Sequence, residues 1–139
     1  MLECLIMGDS IALGIGQHIP ECIVSAKVGA SSKAWLSNNR EIIAYHRYKN
    51  VYISLGSNDM WNTTSDTLYF IRKNIKAEKV YWILTNPSLK PKQRVIIKEI
   101  ANEFKDATIE ITKYLGYDGM HPTPKGYKEL AFNIKNNIY

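Results

Sequence analysis

Leu2-Glu3-Cys4-Leu5-Ile6-Met7-Gly8-Asp9-Ser10 opens the chain, an apolar run that breaks on Gly-Asp-Ser. A short run that is apolar on both alternating sets of positions and closed by a turn residue is how a strand buried on both faces reads. The pattern returns at Asn50-Val51-Tyr52-Ile53-Ser54-Leu55, which passes into Gly56-Ser57-Asn58-Asp59. Working outward, residues 22–28 and 79–85 are rich in β-branched or aromatic side chains and bounded by turn formers, and residues 108–112 are a fifth candidate strand. Between the strands the period changes. Leu68, Ile71 and Ile75 fall on one helical face, as do Ile97, Ile100, Ala101 and Phe104. Tyr127, Leu130, Ala131, Ile134 and Ile138 form a third such stripe, and the segment holding Tyr45, His46, Arg47 and Tyr48 also reads as helix. Pro91 stands where the fourth helix should begin, and Pro124 just ahead of the last.

Alternation of this kind predicts an α/β fold, a parallel sheet with helices on both faces. Ligands of such sheets bind beyond the carboxyl ends of the strands. Ser10 follows the first strand, Gly29 the second and Asn58 the third, so all three should meet at that edge. The chain has 139 residues, 45% of them apolar and 22% charged, without repeat, linker or low-complexity stretch; residues 1–139 read as one minimal domain.

Composition excludes several classes. No apolar run approaches the roughly 20 residues that span a bilayer, so no membrane span is expected. Residues 2–7 enter a strand almost at once, with no basic leader region and no small-residue cleavage site. Cys4 and Cys22 are too few for a disulfide framework and read as buried thiols of a reducing compartment, a Cys4–Cys22 bridge being the lesser alternative. Together these features lead to the expectation of a cytoplasmic protein. The net charge of +5 gathers at residues 72–79 and 90–98, where solvated helix faces explain it. No helix-turn-helix, zinc-finger or aromatic-basic RNA signature is present, and nucleic acid is not an expected partner. There is no Cys-x-x-Cys and no histidine pair at helical ligand spacing, so no metal is expected. Gly8, Gly14 and Gly16 do not make the dinucleotide fingerprint, and no cofactor is expected.

The chemistry-bearing residues make sense as a set. Ser10 offers a hydroxyl nucleophile, which needs a base. Asp118 and His121 stand three apart in Asp118-Gly119-Met120-His121-Pro122, a spacing that lets the carboxylate accept from imidazole Nδ1 and aim Nε2 at a hydroxyl. Asn58 offers an amide to an oxyanion, and Asp59 reads as a support for that loop. His46 and His18 lack a carboxylate so placed and read as structural or exposed. Trp61 and Trp35 are candidate walls of the site, with packing against the sheet the plain alternative.

Gly8-Asp9-Ser10-Ile11, Gly56-Ser57-Asn58-Asp59 and Asp118-x-x-His121-Pro122, in that order, resemble the blocks of the SGNH hydrolases, also called GDSL-type esterases. The resemblance covers nearly the whole chain. It implies a three-layer α/β/α sandwich on a mainly parallel five-stranded sheet, a Ser10–His121–Asp118 triad, and an oxyanion hole from the N–H groups of Ser10 and Gly29 with the Asn58 amide. Gly29 departs from the pattern in its surroundings. The family often has asparagine two residues earlier and glycine three later, where this chain has Lys27 and Ser32. The chain is short for the family, which leaves little sequence for lids and implies a shallow site. The expected reaction is removal of a small acyl group, plausibly acetyl, from a carbohydrate or similar polar ester. A lysophospholipase or thioesterase is the alternative within the family, and a non-catalytic glycan-binding domain the alternative outside enzymology. Oligomeric state is not legible.

Overall fold

The computed structural model describes the backbone of residues 1–139 and every side chain except those of Trp61 and Thr63. The elements are β1 (Leu2–Gly8), α1 (Ser10–Gly16), β2 (Ile23–Ala26), α2 (Ser32–Ala44), β3 (Arg47–Ser54), α3 (Trp61–Asn74), β4 (Lys76–Ile83), α4 (Pro91–Phe104), β5 (Ala107–Ile109), a 3₁₀ turn (Thr112–Tyr114) and α5 (Pro124–Lys135). The five strands form one parallel sheet in the order β2-β1-β3-β4-β5. This is the expected three-layer arrangement.

Strand alternation builds two cores. Leu5, Met7, Val51, Ile53, Val80 and Trp82 face α2, α3 and α4, where Trp35, Leu68, Ile71 and Ile97 meet them. Cys4, Ile6, Tyr52, Tyr81, Ile83 and Ile109 face α1 and α5, where Ile11, Ile15, Leu130 and Ile134 complete the second layer. Successive residues in the buried stretches of β1, β3 and β4 therefore serve opposite cores, which is why those stretches read as continuous apolar runs.

Several boundaries differ from the sequence reading. β3 and β4 begin earlier than expected, at Arg47 and Lys76, which pair with one another in register. Their charged side chains are exposed at the rim, where a ladder continues without apolar content. Tyr45 caps α2 and His46 lies between α2 and β3, so that segment is not a helix of its own. α5 ends at Lys135, and Asn137, with φ of +57°, turns the chain so that Ile138 lies outside the helix and is exposed. β5 ends at Ile109, because the Glu110 carboxylate accepts from the Ile111 and Thr112 N–H groups and starts the 3₁₀ turn.

The cysteines correct the thiol reading: Cys4 and Cys22 form a disulfide with Cα atoms 4.7 Å apart. Leu5 pairs with Ile23 across β1 and β2, which leaves Cys4 and Cys22 side by side one residue earlier. Buried thiols of a reducing compartment are thus not what the fold contains. Two cations of the basic clusters are also occupied internally. Arg72 makes a two-point contact with Asp106, which also accepts from Trp82 Nε1, and Arg94 pairs with Glu110. Among the described residues, no helix is long and apolar enough to cross a membrane.

Candidate functional site

Gly8 ends β1 where it lies against β3. Its φ is +136°, and a Cβ there would collide with the Ser54 carbonyl, so the turn into α1 needs glycine. Asp9 follows as the N-cap of α1, its Oδ1 accepting from Ile11 N–H at 3.1 Å and from the Ser54 hydroxyl at 2.8 Å. The Asp9 N–H donates to Ser54 O at 3.0 Å. These bonds lock the ends of β1 and β3 together and set Ser10 on the first turn of α1. There the Ser10 N–H has no intrahelical acceptor and remains available to a ligand.

Ser10, Asp118 and His121 converge. Ser10 Oγ lies 2.9 Å from His121 Nε2, and His121 Nδ1 lies 2.7 Å from Asp118 Oδ2. The other carboxylate oxygen, Oδ1, accepts from the backbone N–H groups of Met120 and His121 at 2.8 and 2.9 Å. Those two backbone bonds and the imidazole hold the Asp118 carboxyl well below the usual carboxylate range, the His121 N–H being the largest influence. The pair is open to solvent, with side-chain exposures of 43% for His121 and 55% for Asp118. The loop is closed by Gly116 N–H to His121 O, by Gly119 N–H to Gly116 O, and by a bridge between Leu115 and Pro122. Thr123 caps α5 and Pro124 begins it, so the loop leads directly into a fixed helix.

The other two loops stand beside Ser10. Gly29 has φ of +78°, and a Cβ on it would meet open space. The glycine is thus required by backbone conformation and leaves its face clear for a ligand. Asn58 donates from Nδ2 to Ala30 O at 3.1 Å. An amide carries two N–H bonds, of which this contact uses one. Asp59 is buried and holds the two loops together. Its Oδ1 accepts from Ser32 N–H at 2.7 Å, and its Oδ2 accepts from the Ser32 hydroxyl at 2.5 Å and from Thr64 at 3.1 Å. Gln93, also buried, donates to Asp59 O at 2.9 Å. Ser32, which replaces the glycine of the resembled pattern, is thus the partner of Asp59.

Trp35 packs in the core, as the plain alternative had it, and also lines a cleft beside Gly29. It is 1% exposed, lies in the core between the sheet and α2, and donates from Nε1 to Ser25 O at 2.7 Å. Trp61 begins α3, but its side chain lies outside the described residues. His46 and His18 lie away from these loops, after α2 and α1 respectively.

A cleft of about 530 Å³ runs beside Gly29, lined by Ala26, Lys27, Val28, Asn38 and Asn39 among others, and one of about 200 Å³ lies beside Asn58. Ser10 and His121 are not among the residues lining either cleft; both are half-buried. Among the described residues no group of three or more His, Cys, Asp or Glu side chains could hold a metal ion. Sequence reasoning missed Asn86, whose amide donates to Gly119 O at 2.6 Å. Its signal was the turn Thr85-Asn86-Pro87-Ser88 just beyond β4, at the same edge as Ser10, Gly29 and Asn58.

Comparison with solved structures gives the fold a place. A GDSL-like lipase from Bacteroides thetaiotaomicron is 20% identical with a TM-score of 0.71, over 99% of this chain and 87% of that one. An acetylxylan esterase from Geobacillus stearothermophilus is 16% identical with a TM-score of 0.68, over 98% and 93%. A psychrotrophic esterase from Pseudoalteromonas sp. is 16% identical with a TM-score of 0.67, over 99% and 97%. No protein-family model matches the chain, and no curated protein does. At these identities the likeness is one of fold, and the fold is that of the GDSL-type hydrolases.

Proposed function

We propose that the protein is a serine ester hydrolase acting through an acyl-enzyme on Ser10. The observation that carries this reading is the continuous line from Asp118 Oδ2 to His121 Nδ1 and from His121 Nε2 to Ser10 Oγ, at 2.7 and 2.9 Å. The anionic Asp118 accepts a hydrogen bond from Nδ1–H, which keeps the proton on Nδ1 and leaves Nε2 as the base. Ser10 Oγ attacks the ester carbonyl carbon and its proton passes to Nε2. The carbonyl π bond opens to an oxyanion facing the Ser10 and Gly29 N–H groups and the second Asn58 N–H. When the intermediate collapses, the alcohol leaves with the proton held on His121. Water then attacks the acyl-enzyme by the same route, and the acid and free Ser10 are released.

The substrate we propose is a small acyl ester, plausibly acetyl, of a carbohydrate or similar polar alcohol. The exposure of His121 and Asp118 to solvent supports it, because an open site suits a polar alcohol and a small acyl group. An acetylxylan esterase among the similar folds is consistent with it. The lysophospholipase or thioesterase alternative would need a groove for a long acyl chain running up to Ser10, and Ser10 does not line the cleft beside Gly29 or the one beside Asn58. A glycan-binding domain without catalysis would have no use for the aligned Ser10, His121 and Asp118.

Hydrolysis of 4-nitrophenyl esters tests the reading, with Ser10→Ala as the blank. Acetate should turn over, longer acyl chains progressively less, and a fluorophosphonate should label Ser10 alone. Equal rates for Ser10→Ala, or no turnover and no labelling in folded protein, would leave the binding-domain reading.

A further inference from the structure

We propose that Asn86 is a positioning residue that holds the Asp118–His121 pair in register with Ser10. The proposal rests on the hydrolase reading above. Asn86 lies three residues beyond β4, and its side chain is engaged at both ends. Nδ2 donates to Gly119 O at 2.6 Å, and Oδ1 accepts from the Ser88 and Leu89 N–H groups at 2.7 and 2.9 Å. Only one orientation of the amide satisfies all three bonds, since the flipped form would set oxygen against the Gly119 carbonyl and N–H₂ against two N–H groups. The Lys90 N–H closes the same turn on Asn86 O at 2.9 Å.

Gly119 is the residue this tie reaches. It lies between Asp118 and His121 with φ of +70°, and a Cβ on it would stand 3.8 Å from Leu89 Cδ1. The turn after β4 therefore meets the loop through the Asn86–Gly119 hydrogen bond. Apart from the Ser10–His121 contact, the loop's other described backbone bonds run within itself or to the segments beside it: Gly116 to His121, Gly119 to Gly116, and Thr123 to Tyr114. Asn86 carries the position of the sheet edge to the tip of an exposed loop. Ser10 is fixed to β1 and β3, so the 2.9 Å Ser10–His121 contact depends on both anchors. A displacement of about 1 Å can cost on the order of 10²-fold in rate.

Two substitutions separate the roles of the amide. Asn86→Asp keeps oxygens for Ser88 and Leu89 and loses the donor to Gly119. Asn86→Ser is neutral, keeps a shorter acceptor for the turn, and cannot reach Gly119. Both should lower kcat on 4-nitrophenyl acetate about tenfold or more with KM nearly unchanged and Tm within a few degrees. Amide exchange at Met120 and His121 should quicken while β4 stays protected. In an Asp118→Ala background, Asn86→Ser should cost little further, because the pair it positions is already broken.

Wild-type kcat in either variant, full additivity with Asp118→Ala, or unchanged exchange at Met120 and His121 would overturn the proposal. So would both variants melting below the assay temperature, which would make Asn86 a folding residue. Absence of hydrolysis and labelling in the wild type would sink the hydrolase reading instead. The exchange measurement would then still decide whether Asn86 holds the loop.

Discussion

Asp9→Asn should change how stability depends on pH, in a direction fixed by where the carboxyl sits. Asp9 is 1% exposed, and its Oδ2 is buried without a hydrogen-bond partner among the described residues. Burial pushes the carboxyl up to about 6 from 3.8, and the bonds from Ser54 and Ile11 only partly offset this. In the unfolded chain the group titrates near its ordinary value. Between about pH 4 and pH 6 the folded state therefore holds more protons than the unfolded one, and stability falls as pH rises. The contribution is fully present below about pH 4 and is lost as pH passes through 6. The gap between 3.8 and about 6 corresponds to roughly 3 kcal/mol.

Asparagine keeps an oxygen for Ile11 and Ser54 but cannot ionise. Its amide nitrogen would occupy the partnerless position at a cost of about 1–3 kcal/mol that does not vary with pH. The informative quantity is thus the difference between variant and wild type as pH changes. Urea unfolding at intervals from pH 4 to pH 8 should show Asp9→Asn gaining about 3 kcal/mol on the wild type across that window, then levelling. Asp118, whose carboxyl lies below its ordinary range, is common to both proteins and cancels. A flat difference from pH 4 to pH 8 would refute the reasoning and mean that Oδ2 is solvated or paired in solution.

Asn58→Ala should lower kcat by about 10²–10³ with little change in KM, read from initial rates on 4-nitrophenyl acetate, because its second N–H meets charge that develops in the transition state. Asp118→Asn should keep the fold by circular dichroism and lose tenfold or more in kcat, since an amide lets the imidazole adopt the other tautomer. Near-wild-type rates would leave a Ser10–His121 dyad as the working unit. Cys4→Ala combined with Cys22→Ala should lower stability in urea by about 3 kcal/mol, the loop being 18 residues long, and wild type treated with reductant should match the double variant.

The parts of the site that could be read from sequence are those whose meaning is local. Gly-Asp-Ser after a buried strand, Gly-x-Asn-Asp after another, and Asp-x-x-His-Pro before an amphipathic helix each carry their own turn and cap. The alternation of strands and helices then brings them to one edge. What escaped depended on register or on distant partners. Cys4 and Cys22 become neighbours only once Leu5 pairs with Ile23. The period of α2 is blurred by a break at Asn39. Ile138 continued a helical stripe that Asn137 interrupts with a positive φ. Asn86 read as an ordinary turn residue, since its function depends on a loop 33 residues away.

The two halves of the site meet water differently, and that difference explains how so short a chain can assemble them. Ser10 is set by Asp9 and Ser54, and the Gly29 and Asn58 loops are joined by Asp59 and Ser32, all of these supports being buried. Apart from Asp9 Oδ2, the pairing of these buried groups extends from strand end to strand end. The Asp118–His121 pair lies outside that layer, where water weakens charge interactions and a carboxylate needs less compensation. Two backbone N–H groups nevertheless hold Asp118 ionised and oriented. An exposed pair needs position more than protection, and position is what the Asn86 tie and the α5 cap provide. A lid would add desolvation to this arrangement, but the aligned hydrogen bonds do not require one.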